Sequence, residues 1–527
     1  MKKKDEKRVK KILKKIGEKK KMLKMSLEKK VEKNEHFFSI LTPIVAGFLF
    51  LIFSIINLTD SIWFDESYSA YLVRGDFSEI WNMTAQDVHP PFFYFALKMW
   101  SSIFGTSDVA MRFMSIFFGL VAIVFIFHLL KKWFGIKTAS IATMVAAISP
   151  MLIRYGQEMR MYTMVLAIVF AATYFLSLAL ENGAKKEGRK YWVIYAILMA
   201  VGMWTHYFSA FMWISQLVAI IVFFGGPKKI FKDKKLFKTI LYTYIVAVIL
   251  YLPWIPSFIN QAKTVQNGFW IPEMSFEGAA DFVSSALFFN KAQEVTSWGL
   301  VFGLLLIAVV IIAFVKICAK ADNKLKQKLA FIAMMAFGPV LIMALLSLPP
   351  LKSTFVDRYV LYSVVTVWIL FGLAVSLSKK TWIKNTTMAL IIIVATMGIS
   401  FVEKRTPKGF ISEILAETFI AAEEGEPIIA DGVYTYYDSM FYSSEKHPIY
   451  LFEEGVNYEW GSLEPIRNYR YNVVENSEEF LKNYEKVWYV FGIPDNGEQV
   501  KLPEWTEKYR IVSEITLDHH TALEFSR

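Results

Sequence analysis

Two carboxylates stand side by side in the run Ser61-Ile-Trp-Phe-Asp65-Glu66-Ser-Tyr-Ser-Ala70, just beyond a long apolar block and among Trp63, Phe64, Tyr68 and Tyr71. Aromatic side chains collect where a membrane meets water, so this pair belongs at headgroup level, wet on one side and apolar on the other. A carboxylate in that setting can act as a base. Adjacent residues on a helix point about 100° apart, so the two cannot both face one substrate atom. One is expected to do chemistry and the other to hold position. Ordinary acids of a solvated loop remain the plain alternative.

A second set of polar groups follows. The segment Arg154-Tyr-Gly-Gln157-Glu158-Met-Arg160-Met-Tyr162 puts two arginines in a short stretch between apolar blocks, and Asp357-Arg358 opens a later block. His89 lies in Asp87-Val-His89-Pro90-Pro91, and His206 in Trp204-Thr-His-Tyr207 at a tight junction between two apolar runs. Arginines on the outer side of a membrane run against the topological bias and are functional suspects by default. Snorkelling to lipid headgroups is the competing explanation for each. For Glu158 it is a local Glu–Arg pair at helical spacing, and for the histidines a simple hydrogen-bonded role in an aromatic belt. Asp357 reads as an orienting partner of Arg358.

A cofactor is weakly signalled. Asp65, Glu66, Asp87 and His89 offer an oxygen-rich set for a divalent ion, but without the spacing of a metal motif. No Gly-rich phosphate cradle or dinucleotide fingerprint is present, which argues against a cytoplasmic nucleotide-sugar donor. Cys318 is the only cysteine among the 527 residues, so neither a disulfide framework nor a Cys-based metal site is available.

These residues must be positioned by membrane helices. Hydrophobic residues make up 55% of the chain and gather into blocks of about 17 to 22, the length that crosses a bilayer. About eleven spans are expected: Phe38 to Leu58, Val109 to Leu130, Thr138 to Ile153, Tyr162 to Leu180, Tyr191 to Trp204, Tyr207 to Phe224, Leu236 to Ile255, Trp298 to Ile317, Ala330 to Leu348, Tyr359 to Leu377 and Thr386 to Phe401. The first block is too long for a cleavable signal and is expected to stay as an anchor.

Basic residues crowd the N-terminal tail and alternate loops, including Lys131 to Lys137, Lys185 to Lys190, Lys228 to Lys238, Lys316 to Lys328 and Lys379 to Lys384. By the positive-inside rule these are cytoplasmic, which puts the Leu58 to Asp108 loop, Arg154, Arg358 and everything after Phe401 outside. Topology and anionic membrane lipids account for the net charge of +11, and nucleic acid is not an expected partner.

Three regions follow. Residues 1–36 form a basic cytoplasmic tail, either a helix on the inner leaflet, with Val9, Ile12, Leu13 and Ile16 at helical spacing, or a solvated arm. Residues 37–401 form the membrane domain. Residues 402–527 are acidic, with short buried strands expected at Pro427 to Ala430, Ile449 to Phe452 and Val487 to Phe491 and a helix capped by Asn476 with Glu479. They read as a small extracytoplasmic α/β domain.

Four segments in this order, Trp63-Phe-Asp-Glu-Ser-Tyr68, Val88-His-Pro-Pro-Phe-Phe-Tyr94, Phe104-Gly-Thr-Ser-Asp-Val-Ala-Met-Arg112 and Arg154 to Tyr162, resemble the GT-C membrane glycosyltransferases of the protein O-mannosyltransferase and aminoarabinose transferase superfamily, glycosyltransferase family 39 type. The His-Pro-Pro segment is closer to the mannosyltransferase branch, since the aminoarabinose branch carries a Lys before the prolines. The resemblance implies a GT-C fold and transfer of a sugar, a hexose such as mannose, from a polyprenyl-phosphate donor to a glycan, lipid or protein hydroxyl. It implies Asp65 as the catalytic carboxylate, with Glu66 beside it. Such a reaction needs groups that stabilise a departing phosphate, and arginine's planar, permanently charged fork suits that task. Arg154, Arg160, Arg358 and His206 are the candidates for the donor phosphate, and His89, Gln157, Glu158 and Tyr162 for the rest of the substrate.

Two rival readings stand beside this one. A transporter or flippase of a lipid-linked glycan predicts charges near span centres and inverted repeats. A non-catalytic scaffold predicts no clustering of acids and arginines at one membrane face.

Overall fold

The computed structural model describes residues 35–223, 230, 232–267, 270–405, 409–454, 472–493, 500–517 and 519–527. The basic tail expected over residues 1–36 therefore lies almost entirely outside the described residues, as does part of the Lys228 to Lys238 stretch.

Among the described residues eight helices are long and apolar enough to cross a membrane: Glu35–Ser54, Asp108–Phe134, Tyr162–Asn182, Lys234–Gln266, Ser297–Lys320, Asn323–Leu346, Asp357–Leu377 and Thr381–Glu403. Ile136–Ala147 and Pro150–Gly156 form a ninth, bent by 61°. Proline has no N–H to give the preceding turn, and Pro150 accordingly starts the second half as its first residue. The two remaining expected spans are the short helices Arg189–Thr205 and Ser209–Phe223, which meet at an extended His206. At 1.5 Å per residue the 17 residues of the first reach about 25 Å, short of a hydrocarbon core of about 30 Å. The chain is thus a multi-pass α-helical membrane protein.

The spans are not equivalent. In their most apolar windows Tyr162–Asn182 and Asp357–Leu377 are 78% and 83% buried by protein, against 22% for Lys234–Gln266 and 28% for Ser297–Lys320. A helix enclosed on all sides occupies the middle of a bundle. The two central helices begin at Tyr162 and at Asp357-Arg358, so the sequence delivers its polar residues to the axis of the fold.

The loop expected from Leu58 to Asp108 is largely helical. It folds into three helices, Phe64–Leu72, Phe77–Ala85 and Phe92–Phe104. Asp76 and Glu79 form a reciprocal capping box that starts the second, and Trp100 Nε1 donates to Ala110 O, tying the third to the next span.

After Glu403 the chain forms a six-stranded sheet flanked by helices. Its strands are β1 (Ile428–Ala430), β2 (Ile449–Phe452), β3 (Val473–Val474), β4 (Lys486–Gly492), β5 (Arg510–Leu517) and β6 (His520–Ser526), in spatial order β3-β2-β1-β4-β6-β5. The expected strands are β1, β2 and β4, which pair in parallel. Buried on both faces, such strands read as continuous apolar runs. β5 and β6 add an antiparallel pair that the sequence reading missed; five of the eight β5 residues are exposed, and its apolar content is diluted. Asn476 caps its helix by accepting from Glu479 N.

Candidate active site

The acid pair opens the helix Phe64–Leu72, and the two side chains part as the helical geometry requires. Glu66 turns inward. Its Oε1 and Oε2 accept from Arg112 Nε and Nη2 at 2.8 and 2.6 Å, and Oε1 also accepts from Met159 N at 2.9 Å. Arg112 further donates to Leu58 O and Asp60 O. This buried fork welds the acid helix to the span Asp108–Phe134 and to the Arg154–Tyr162 segment. Arg112 was quoted as part of a motif but given no role. The signal available was its place one turn inside the end of a span that the basic loops predict to lie outside, where the topological bias disfavours a cation.

Asp65 points the other way, toward Arg160, and keeps 24% of its side chain exposed. Its carboxylate lies 3.8 Å from Arg160 Nε. Arg160 is held by several groups: Nη1 donates to Asp65 O and Ser69 Oγ, and Nη2 lies 3.4 Å from His89 Nε2. His89 Nδ1 in turn meets Asp87 at 3.3 Å. With Arg160 donating to Nε2, the imidazole proton belongs on Nδ1, facing Asp87. Burial opposes the charge on Arg160, but Asp65 and the oxygens of Tyr94 and Tyr162 outweigh it and hold its pKa well above the usual arginine value.

Tyr162 carries the cluster onward. Its hydroxyl accepts from Arg358 Nε at 3.1 Å, and its oxygen favours the charge on Arg160. Arg358 lies over the rings of Trp270 and Tyr359, at 5.1 and 5.7 Å from their centroids, while Asp357 accepts from Arg358 N and bonds Ser285. Asp357 is thus an orienting group. His206 sits between the rings of Tyr162 (6.1 Å), His89 (6.2 Å) and Tyr359 (5.1 Å). Its Nδ1 accepts from Phe208 N, leaving Nε2 to carry the proton.

Three candidates are turned elsewhere. Arg154 and Glu158 pair with each other, one helical turn apart and both buried, and Arg154 also faces the ring of Phe289. Gln157 Nε2 donates to Phe53 O and Ile56 O, closing the end of the first span. The first span can approach here because residue 156 is glycine. A Cβ there would lie 2.8 Å from the Phe50 ring. These three fasten the segment that holds Arg160, and the structure does not bring them to Asp65. Nor do Asp65, Glu66, Asp87 and His89 form one ligand set. Glu66 is committed to Arg112, and no group of three metal-ligating side chains occurs among the described residues.

Beside the cluster opens a cavity of about 330 Å³. His89, His206, Tyr359 and Lys352 are among its lining residues, together with the apolar side chains of Met203, Phe211, Phe258 and Leu346.

Residues 88–256 match the family model of dolichyl-phosphate-mannose-protein mannosyltransferases, a stretch that includes His89, Arg112, Arg160, Tyr162 and His206 but neither Asp65 nor Arg358. No curated protein sequence matches the chain. Among solved structures it is similar to ArnT from Cupriavidus metallidurans in the apo state, with a TM-score of 0.60, 13% identity, and coverage of 92% of this chain and 97% of that one. The same protein bound to undecaprenyl phosphate aligns with a TM-score of 0.57 and equal coverage and identity. At that identity the likeness is one of fold, and it extends over nearly the whole of both chains, sheet region included. Over residues 88–256 the chain thus resembles that family, and over nearly its whole length it has the GT-C fold.

Proposed function

We propose that this protein transfers a hexose, with mannose the sugar named by the matching family, from a polyprenyl-phosphate carrier to an acceptor hydroxyl on the outer face of the membrane. The observation that carries the reading is the cluster Asp65, Arg160, Tyr162 and Arg358, in which a partly exposed carboxylate lies 3.8 Å from a buried guanidinium, and Tyr162, whose oxygen favours that guanidinium's charge, accepts from the half-buried Arg358. That juxtaposition supplies the three things such a transfer needs: a base for the acceptor, cations for the leaving phosphate, and fixed positions for both.

The donor phosphate lies against Arg358 and Arg160, with Nε2–H of His206 as a further donor, and its isoprenoid runs into the apolar cavity. Asp65 accepts the acceptor's proton as the hydroxyl oxygen bonds to the anomeric carbon. The bond from that carbon to the phosphate oxygen breaks, and polyprenyl phosphate leaves with the electron pair. Undecaprenyl phosphate, the molecule bound to the C. metallidurans protein, is a carrier of this class. The basic inner loops support an orientation with the site and the sheet region outside. A flippase would need charges along its path through the membrane. Here the charged cluster sits at span ends.

The test is transfer by the purified protein from a polyprenyl-phosphate hexose, comparing wild type with Asp65→Asn. Loss of a general base lowers the rate about a hundredfold to ten-thousandfold, or roughly 3 to 5 kcal/mol of barrier. A folded Asp65→Asn variant that transfers at the wild-type rate would remove Asp65 from the chemistry.

A further inference from the structure

We infer that the helix Val433–Tyr442 of the outer sheet region is a working part of the transfer site, with Asp438 as the positioning residue that fixes the acid helix and, through it, Asp65. The inference rests on the reading of Asp65 as the reacting carboxylate.

One face of this helix grips the acid helix at three points. Before its start, Ile62 N donates to Tyr442 Oη at 3.1 Å. In its second turn, Ser67 Oγ meets Asp438. Beyond its end, Arg74 Nη2 donates to Met440 O at 2.7 Å. Between these points the ring of Tyr437 packs edge-on against Phe64, Tyr68 and Tyr71, with centroids 5.8, 5.6 and 4.9 Å away. The chain entering the sheet region lies against the same backbone. Ser412 N donates to Ser61 Oγ, and a Cβ on Gly409 would fall 1.9 Å from Ile62 O, a closeness that only glycine permits.

The central contact has a proton requirement of its own. Ser67 Oγ lies 2.9 Å from Phe64 O, which can only accept, and it also touches Asp438 Oδ1. A hydroxyl has one hydrogen. Both contacts are satisfied when Ser67 donates to Phe64 O and a protonated Asp438 donates to Ser67 Oγ. Burial pushes the Asp438 carboxyl up to about 8, the Ser67 contact pulls it down, and the charges of Glu66 and Asp65 push it up again. A neutral acid makes the bond without setting a third negative charge against the pair. The carbonyl it braces belongs to Phe64, the residue before Asp65, so the turn that aims the reacting carboxylate is the turn being held. Small misplacement of a reacting group costs on the order of a hundredfold in rate.

The experiment measures transfer from a polyprenyl-phosphate hexose by the full-length protein in lipid discs, for Asp438→Ala, Asp438→Asn, Ser67→Ala and the double variant Ser67→Ala/Asp438→Ala, with Asp65→Asn alongside. Asp438→Ala is expected to lower kcat about tenfold to a hundredfold with the donor KM unchanged. Asp438→Asn, whose amide donates to Ser67 Oγ, restores most of it. In the Ser67→Ala background the Asp438 substitution adds no further loss. Wild-type kcat for Asp438→Ala, a loss that appears in KM, a loss that Asn fails to rescue, or additivity in the double variant each overturns the inference. If Asp438→Ala does not fold, Tyr442→Phe carries the same expectation for kcat, and full activity there is equally fatal. When Asp65→Asn is inactive but Asp438→Ala is not, this inference alone fails. A fully active Asp65→Asn, or a wild type that uses no polyprenyl-phosphate hexose, removes the underlying reading and this inference with it.

Discussion

Glu66→Gln separates the two members of the acid pair. Glu66 is 1% exposed and Arg112 3%, so the charge on each is tolerated only because of the other. The carboxylate receives Arg112 through both oxygens, at 2.8 and 2.6 Å, and Met159 N through one of them. Glutamine has the same shape but one acceptor oxygen. Whichever way its amide is turned, an NH2 group faces an arginine N–H, one charge-assisted bond is lost, and a buried cation is left without a counter-charge. Breaking a buried pair in this way costs roughly 3 to 5 kcal/mol. Arg112 also supports Leu58 O and Asp60 O, so the first outer loop loosens as a unit. The expected result is a fall of several degrees in apparent melting temperature in lipid or detergent, together with reduced yield. Transfer per folded molecule should fall much less than in Asp65→Asn. A Glu66→Gln protein that melts like wild type yet transfers no sugar would refute the assignment of Glu66 to the framework and shift the chemistry onto it.

Other perturbations test the remaining parts. Arg358→Lys keeps a cation but loses the planar fork bonded to Tyr162, and should raise the donor KM about tenfold or more with melting unchanged; an unaltered KM would take Arg358 away from the phosphate. His89→Leu removes the acceptor facing Arg160 Nη2 and should lower kcat about tenfold; wild-type kcat would limit His89 to packing. Asp438 holds a proton in the fold up to about 8 but loses it near 3.9 when unfolded. Across that window the native state binds more protons than the unfolded chain, so this group's contribution to stability falls as pH rises. The melting temperature of Asp438→Asn relative to wild type should therefore move in the variant's favour from about pH 5 to about pH 8, and a difference that does not change with pH would mean an ionised Asp438. A reporter joined after Phe401 should be active outside the cytoplasm, and one placed in the Lys228 to Lys238 loop inside; the reverse result would invert the site's location.

The membrane helices could be read from the sequence because a bilayer imposes a local requirement. About 20 consecutive apolar residues must satisfy their own backbone, whatever they pack against. The buried parallel strands β1, β2 and β4 were legible for a related reason, and β5 was not because only part of it is covered. The division of labour within Asp65-Glu66 followed from the 100° between neighbours on a helix, but its direction did not. That was set by Arg112, 46 positions from Glu66. Arg160 and Arg358 each stood out as cations expected on the outer face, while their convergence around Tyr162, 196 positions from Arg358, required the two most enclosed spans to begin side by side. Arg154 and Glu158, for which a structural role was as good a reading from the sequence, pair with each other, and Gln157 is bonded to the first span. Asp438 had no local signature at all. A buried carboxyl acquires its proton and its task from what docks against it, and in this chain that is the acid helix, some 371 positions away from it at Ser67.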